Sequence, residues 1–289
     1  MLPRDFAILV FVCLTWASNF IISKIALTEL HIPPLFFSAV RFALVLLVTL
    51  PWLLPMPRPR WRMLAVGLLM GAGGFGLVSI GLLTASPSSA AVVTQLGVPI
   101  TALLSVFMLG ERISWRRGIG IALAFSGAMA VMWNPSGLSL SYGLIFVLLS
   151  ALASALGIVL VKQLGSVQPF QFQAWVGLAS AVPLGIASAM LETGQARLAL
   201  DAGWWFVATV VYAALAVSLA GHSLFFRLVQ KYEANLISTL TLMCPLMAIG
   251  LGVVLLGDRF DGRMAAGTAV VLVGVLMIVI TPGRGKGRS

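Results

Sequence analysis

The chain has 289 residues, 60% of them hydrophobic and only 9% charged, with a mean hydropathy of +1.08 and a formal net charge of +10. A polypeptide this apolar cannot cover itself with polar surface, which excludes a soluble globular domain and makes bilayer lipid part of its solvent. The apolar residues also come in solid runs without the alternation of lipid-facing strands, which excludes a β-barrel.

A membrane helix needs roughly 20 mostly apolar residues. By that rule the chain divides into ten spans, at about 5–26, 34–54, 62–83, 88–109, 114–133, 142–162, 170–191, 204–228, 234–257 and 263–281. The expected fold is an all-α membrane protein. The start, MLPRDF, runs straight into a full-length apolar helix without a small-residue cleavage site, so it reads as an uncleaved first span.

Span 1 carries Trp16, Asn19 and Ser23 on one helical face, with Lys24 near its outer end. An unpaired amide at mid-membrane is costly, so Asn19 must face other helices or a wet cavity, and Trp16 beside it is a candidate cavity wall. Lys24 reads as snorkelling to the interface. Span 2 opens with Pro33-Pro34 and holds Arg41, which needs a partner, carbonyls or water at that depth and reads as either a structural anchor or a substrate contact. The loop after it, PMPRPRWR, is stiff and basic, as befits a cytoplasmic anchor.

Span 3 contains GLLMGAGGFG, which matches a dinucleotide fingerprint formally but lacks the strand and βαβ context that would give the match meaning. Its Gly67, Gly71 and Gly74 read as a surface for close helix approach. Span 4 brings Thr94, Gln95 and Pro99; the proline is expected to kink the helix and free a carbonyl at mid-depth. The uncharged segment NPSGLSLS follows span 5 and divides the chain into repeats at 1–138 and 139–289.

Span 6 has Ser150 and Ser154 one turn apart, which bond either their own helix or a solute. Span 7 carries Trp175 and Pro183, and the loop beyond it Glu192, Arg197 and Asp201. Trp204 and Trp205 then read as interfacial anchors. Span 8 holds Tyr212, Ser218 and His222; His222 is either an interhelical hydrogen-bonding group or a titrating, solute-binding one. Span 9 approaches Pro245 through Ser238, Thr239 and Thr241, as span 4 approaches Pro99.

That similarity is an internal duplication. Gly110-Glu111-Arg112 and Gly257-Asp258-Arg259 follow the two proline-bearing helices, and Gly120 and Gly127 recur as Gly267 and Gly274 in the spans that follow. Pro34, Phe37 and Ala39 are echoed by Pro169, Phe172 and Ala174. With five spans in each copy, the second must run oppositely through the membrane, giving two inverted five-helix repeats. The 18 Lys and Arg support one orientation. With the N-terminus cytoplasmic, 13 of them (Arg4, Arg58, Arg60, Arg62, Arg112, Arg116, Arg117, Lys162, Arg227, Lys231, Arg284, Lys286 and Arg288) fall inside. Lys24, Arg197, Arg259 and Arg263 fall outside, and Arg41 lies within a helix. The bias places both termini in the cytoplasm and makes the basic excess a topology signal, so no nucleic-acid partner is expected.

All eight acidic residues, Asp5, Glu29, Glu111, Glu192, Asp201, Glu233, Asp258 and Asp261, sit at span ends or in loops. A midplane carboxylate is what proton pumps and cation exporters use, so a cationic substrate is disfavoured. Phosphorylated solutes would want several converging Lys or Arg. The residue set suits a neutral or zwitterionic solute with an apolar part, its polar end meeting Asn19, Gln95 and the kinked-helix carbonyls, and its apolar part Trp16 and Tyr212. Cys13 and Cys244 lie in apolar runs and read as unpaired. Metal-ligand clusters and nucleotide loops are lacking, so neither a cofactor nor an enzyme activity is expected.

The doubled unit, with LGERISWRRGIGIALAFSGAMAV and LGDRFDGRMAAGTAVVLVGVLMIV as its most specific parts and TWASNF and Arg41-Phe42 beside them, resembles the ten-span EamA branch of the drug/metabolite transporter superfamily. Within it the chain is similar to YddG-type aromatic amino-acid exporters. The resemblance implies alternating-access export of amino acids, aromatic ones favoured, across the bacterial inner membrane. It implies a cavity between the halves lined by spans 1, 3, 4, 6, 8 and 9. Mapped onto this chain, the substrate-binding candidates are Trp16, Asn19, Gln95, Ser154, Tyr212, His222 and Thr241, with Pro99 and Pro245 as hinges. Proton exchange and facilitated diffusion both remain open as the driving mode, as do another neutral metabolite as cargo, a scaffold or sensor role, and a monomer or a homodimer.

Overall fold

A computed structural model describes residues 1–110, 113–134, 139–164 and 167–281. Glu111 and Arg112 of the first Gly-acid-Arg turn, most of the joint between the halves, and the GRGKGRS tail with its three basic residues lie outside the described residues.

Nine helices among the described residues are long and apolar enough to cross a membrane. They are span 1 (Pro3–Thr28), span 2 (Pro34–Trp52), span 3 (Arg60–Leu82), span 4 (Pro87–Leu109), span 6 (Tyr142–Val161), span 7 (Pro169–Leu191), span 8 (Gln195–Lys231), span 9 (Leu236–Leu256) and span 10 (Gly262–Ile280). The tenth, span 5 (Trp115–Met132), has 18 residues and two arginines in its first turn, which lower its apolarity. Their outer faces are lipid-like: Phe107 is 83% exposed and Val254 79%. The protein is a multi-pass membrane protein. The only strand pairing among the described residues is a two-residue antiparallel bridge, Trp133 to Leu140 and Asn134 to Ser139, flanking the joint.

The two halves embrace as inverted copies. Spans 5 and 10 cross where glycines let the backbones touch: a Cβ on Gly120 would lie 2.7 Å from Gly274 O, and one on Gly127 2.6 Å from Gly267 O. The glycine that starts the contact on one span meets the glycine that ends it on the other, so the two spans run antiparallel. Spans 2 and 7 are antiparallel too. Gly177 rests against the Leu46 backbone, Trp175 Nε1 donates to Leu53 O at 2.8 Å, and at the other end Glu192 reaches Leu35 and Phe36. Each remaining major contact is also mirrored, span 1 against span 9 as span 6 is against span 4, and span 1 against span 8 as span 6 is against span 3.

Several local expectations are corrected. Span 8 begins earlier than the apolar run suggested, because Gln195 to Ala202 form a helix of their own that joins the span at Gly203, where φ is 54°. Pro99 and Pro245 do not leave free carbonyls. Helices 4 and 9 break just upstream, between Thr94 and Gly97 and between Leu240 and Met243. There the exposed carbonyls are taken up by tight turns, Val98 N to Gln95 O at 3.1 Å and Cys244 N to Thr241 O at 2.9 Å. A carbonyl at membrane depth must be satisfied, and the nearest N–H does it.

Lys24 turns inward instead of snorkelling. Its Nζ donates to Leu82 O, Leu83 O and Ala85 O at 2.7, 3.2 and 3.2 Å, satisfying the orphan carbonyls that end span 3. The glycines of span 3 do provide close approach: Gly67 and Gly71 meet Ala179 and Ser180 of span 7, and Gly74 meets Ser154 of span 6. Cys13 and Cys244 are free thiols packed in the apolar contact of spans 1 and 9.

Candidate functional site

Two segments of π-helix, Leu68–Gly76 in span 3 and Tyr212–Gly221 in span 8, occupy matching places in the two halves. A π-turn widens the helix and turns its side chains out of the usual register, and such turns gather at functional sites. Here they border an inner chamber of about 250 Å³ between the halves. Trp16, Asn19 and Phe20 of span 1, Gly74, Phe75 and Val78 of span 3, Thr94 of span 4, Ser150 and Ser154 of span 6, and Val217 and His222 of span 8 line it. The volume lies just under the roughly 300–1,000 Å³ of small-molecule sites and has their character, apolar and aromatic walls with a few placed polar groups.

At His222 the chamber meets a wider vestibule of about 940 Å³. Trp52, Met70, Phe172, Gln173, Phe225 and Gln230 are among its walls, so it opens on the face where span 1 begins and span 8 ends. Toward the opposite face the cavity lining stops at Phe20, Val78 and Thr94, and two charged side chains there hold helix termini. Asp258 of span 9 accepts from Ser88 N (3.0 Å) and Ser88 Oγ (2.5 Å) at the start of span 4. Glu192 of span 7 accepts from Leu35 N (2.7 Å) and Phe36 N (2.9 Å) at the start of span 2, just past Pro33-Pro34. Both carboxylates sit where helix N–H groups are unpaired and the dipole is positive. Neither role was legible in the sequence, which marked these acids only as span ends.

Four of the sequence candidates come together in the chamber: Trp16, Asn19, Ser154 and His222. The Trp16 ring lies 5.3 Å from His222 and 5.1 Å from Phe225, centroid to centroid. Its indole Nε1 is buried with no hydrogen-bond partner among the described residues. His222 Nδ1 lies 3.0 Å from Val217 O and 3.1 Å from Ser218 O. Both neighbours only accept, so Nδ1 carries the proton and Nε2 of the neutral ring is an acceptor.

The other three candidates lie elsewhere. Gln95 caps the first piece of span 4, and its neighbour Thr94 is the one that faces the chamber. The Tyr212 hydroxyl is held by Ser18 Oγ at 2.5 Å and joins span 8 to span 1. Thr241 donates to Ser238 O at 2.8 Å in its own helix, and none of the described side chains of span 9 is among the lining of either cavity. Pro99 is buried beneath the break in span 4, and Pro245 beneath that in span 9. Residues the sequence reading passed over include Phe20, Phe75, Val78 and Val217 in the chamber, which as apolar residues in apolar runs carried no signal, and Gln173 in the vestibule, an amide in an apolar run whose signal was of the same kind as that of Asn19.

Arg41 stands directly behind the chamber wall, 2% exposed. Its Nε and Nη2 donate to Ser218 Oγ at 3.1 and 2.9 Å, its Nη1 to Asn19 Oδ1 at 3.3 Å, and its Cζ lies 4.1 Å from the centre of the Phe75 ring. These are the partners that its depth demanded, and no carboxylate is among them.

A family model described as "EamA-like transporter family" matches residues 6–133 and again 141–280. A protein of Salmonella typhimurium named "Probable amino-acid metabolite efflux pump" is 26% identical over 96% of both chains, and one of the same name from Escherichia coli K12 is 24% identical over the same share. An Escherichia coli K12 protein named "Uncharacterized inner membrane transporter YedA" is 27% identical over 92% of this chain and 87% of its own. A solved crystal structure matches over 96% of both chains with a TM-score of 0.62 at 19% identity, which bears on the fold alone.

Proposed function

The chain belongs to the EamA-like transporter family, and from that premise we propose that it is a secondary exporter of amino acids, aromatic ones favoured, in the bacterial inner membrane with both termini cytoplasmic. Residues 1–138 and 139–289 form the two halves that rock about the chamber, and the breaks above Pro99 and Pro245 let spans 4 and 9 bend.

The observation that carries this reading is the shape and lining of the cavity. A vestibule open on one face narrows into a chamber whose lining stops short of the other, as one half of an alternating-access cycle would have it. An exporter is loaded from the cytoplasm, and the open face is the one that the distribution of Lys and Arg puts there. Trp16, Phe20 and Phe75 offer flat apolar surface to a ring, while Asn19, Ser150, Ser154, Thr94 and His222 offer neutral donors and acceptors. That pairing fits a guest with an aromatic side chain and a dipolar head. The amino-acid metabolite named in the Salmonella and Escherichia coli relatives is consistent with it.

Counterflow in proteoliposomes tests the reading. Vesicles preloaded with unlabelled phenylalanine should accumulate labelled phenylalanine or tryptophan saturably, and Trp16→Ala or Asn19→Ala should reduce the exchange. Exchange of sugar phosphates or quaternary amines alone would overturn the proposal, and no exchange of any solute would leave a scaffold or sensor role instead.

A further inference from the structure

We propose that the chamber selects for a carboxylate, with buried Arg41 as a positioning residue whose charge is the pole that the guest's carboxylate completes. The identity of the guest rests on the export reading above; the charge preference is a property of the site itself.

A guanidinium is protonated at any working pH and is costly at membrane depth, so it is expected beside a carboxylate or in water. Arg41 has neither. Its contacts are a serine hydroxyl, an amide oxygen and two aromatic rings, Phe42 and Phe75, all neutral. Every described carboxylate sits at a helix end or in a loop. Asp258 and Glu192 are engaged there on helix termini, and Asp5 with Lys231 and Tyr232. The protein therefore holds an uncancelled positive charge in a low-dielectric interior, where its field reaches furthest.

That field points into the chamber. Two of the four groups around Arg41, Asn19 and Phe75, are chamber walls, so the charge lies one side chain away from the guest. The geometry also settles which way Asn19 faces. A guanidinium only donates, so the amide atom 3.3 Å from Nη1 is the oxygen, and the amide N–H groups remain for another acceptor. A carboxylate bonded there would sit next to Arg41, with Asn19 transmitting the charge. His222, whose Nδ1–H is spent on backbone carbonyls, presents its Nε2 lone pair to an ammonium group. A site built this way accepts acids and zwitterions and turns away amines that lack an acid group. If Arg41 served only to join spans 1, 2 and 8, the charge of the guest would not matter.

The test is a binding rank order on the full-length purified protein in nanodiscs, read by displacement of a bound label and by ligand-induced thermal shift. The probes are matched sets: phenylalanine, phenylpyruvate, phenylalaninamide and phenethylamine, then leucine, 4-methyl-2-oxopentanoate and isopentylamine. In the wild type the acids should bind at least about tenfold more tightly than the matched amines, a ratio equal to about 1.4 kcal/mol. Asn19→Asp gives Arg41 a resident carboxylate and should reverse the order. Arg41→Lys keeps the charge and should keep the order even with lower stability.

Amines binding as well as acids in the wild type would overturn the proposal, as would an unchanged order in Asn19→Asp or no binding of any acid. A preference for acids confined to the aliphatic set would uphold the charge argument while sinking the aromatic reading. The wild-type ranking stands even if a variant fails to fold.

Discussion

Asp258 reaches from the end of span 9 to the start of span 4, where its Oδ2 accepts both the backbone N–H of Ser88, at 3.0 Å, and the Ser88 hydroxyl, at 2.5 Å. The contact joins the two halves on the face where the cavity is closed. Gly257, at φ 66°, makes it possible by ending span 9 in the left-handed conformation, and Asp258 N returns to Gly252 O. The Gly-acid-Arg repeat is thus, in its second copy, a helix stop followed by a cap for a helix of the other half.

Asp258→Asn keeps a hydrogen-bonding group but removes the charge that complements the helix terminus. A loss of about 1–2 kcal/mol is expected. It should appear as a lower melting temperature in detergent and faster labelling of an Ala85→Cys reporter on the closed face by a membrane-impermeant maleimide. An unchanged labelling rate would mean that the contact does not help to hold that face shut.

Glu192→Gln removes the charge and one of the two acceptor oxygens of the matching cap on span 2. Because Pro34 cannot donate, the Leu35 and Phe36 N–H groups are the first available on that helix, and both end on this one side chain. A destabilisation of about 1–2 kcal/mol is expected from the same physics. Arg197→Ala, at an exposed ion pair with Asp201, should change the melting temperature little.

The crossing of spans 5 and 10 predicts a contrast between two glycines on one helix. An added Cβ at Gly127 would lie 2.6 Å from Gly267 O and 2.7 Å from Val271 N, both backbone atoms that cannot swing away. Gly127→Ala should cost about 1–3 kcal/mol and lower the yield of monodisperse protein. Gly118→Ala, with nothing within 4 Å, should be neutral or slightly stabilising. Equal behaviour of the two variants would contradict the observed register.

Lys24→Met leaves the carbonyls of Leu82, Leu83 and Ala85 without their cation. It should lower thermal stability by about 1–3 kcal/mol, the cost of stranding buried acceptors. Lys24→Arg should recover part of that loss, whereas a side chain merely resting at the interface would tolerate either change.

The ten spans, the duplication and its inversion were legible in the residues, because hydropathy is a local property and an odd number of spans dictates opposite orientation. Trp16, Asn19, Ser154 and His222 were legible as polar or aromatic intrusions into apolar helices, where lipid is an unsuitable neighbour. Gln95, Tyr212 and Thr241 carried the same signal, yet their side chains point elsewhere or bond within the protein. The signal says that a residue avoids lipid, not which of several interiors it enters.

Composition and repeat pattern by themselves determined a carboxylate-free membrane interior built from two opposed copies. Only tertiary structure decided what each polar group meets there. Glu192 with Leu35, Asp258 with Ser88, and Arg41 with Ser218 are pairs separated by 157, 170 and 177 residues. Such partners depend on how helices pack across the two halves, through glycine contacts and π-turns whose consequences no single stretch of chain contains.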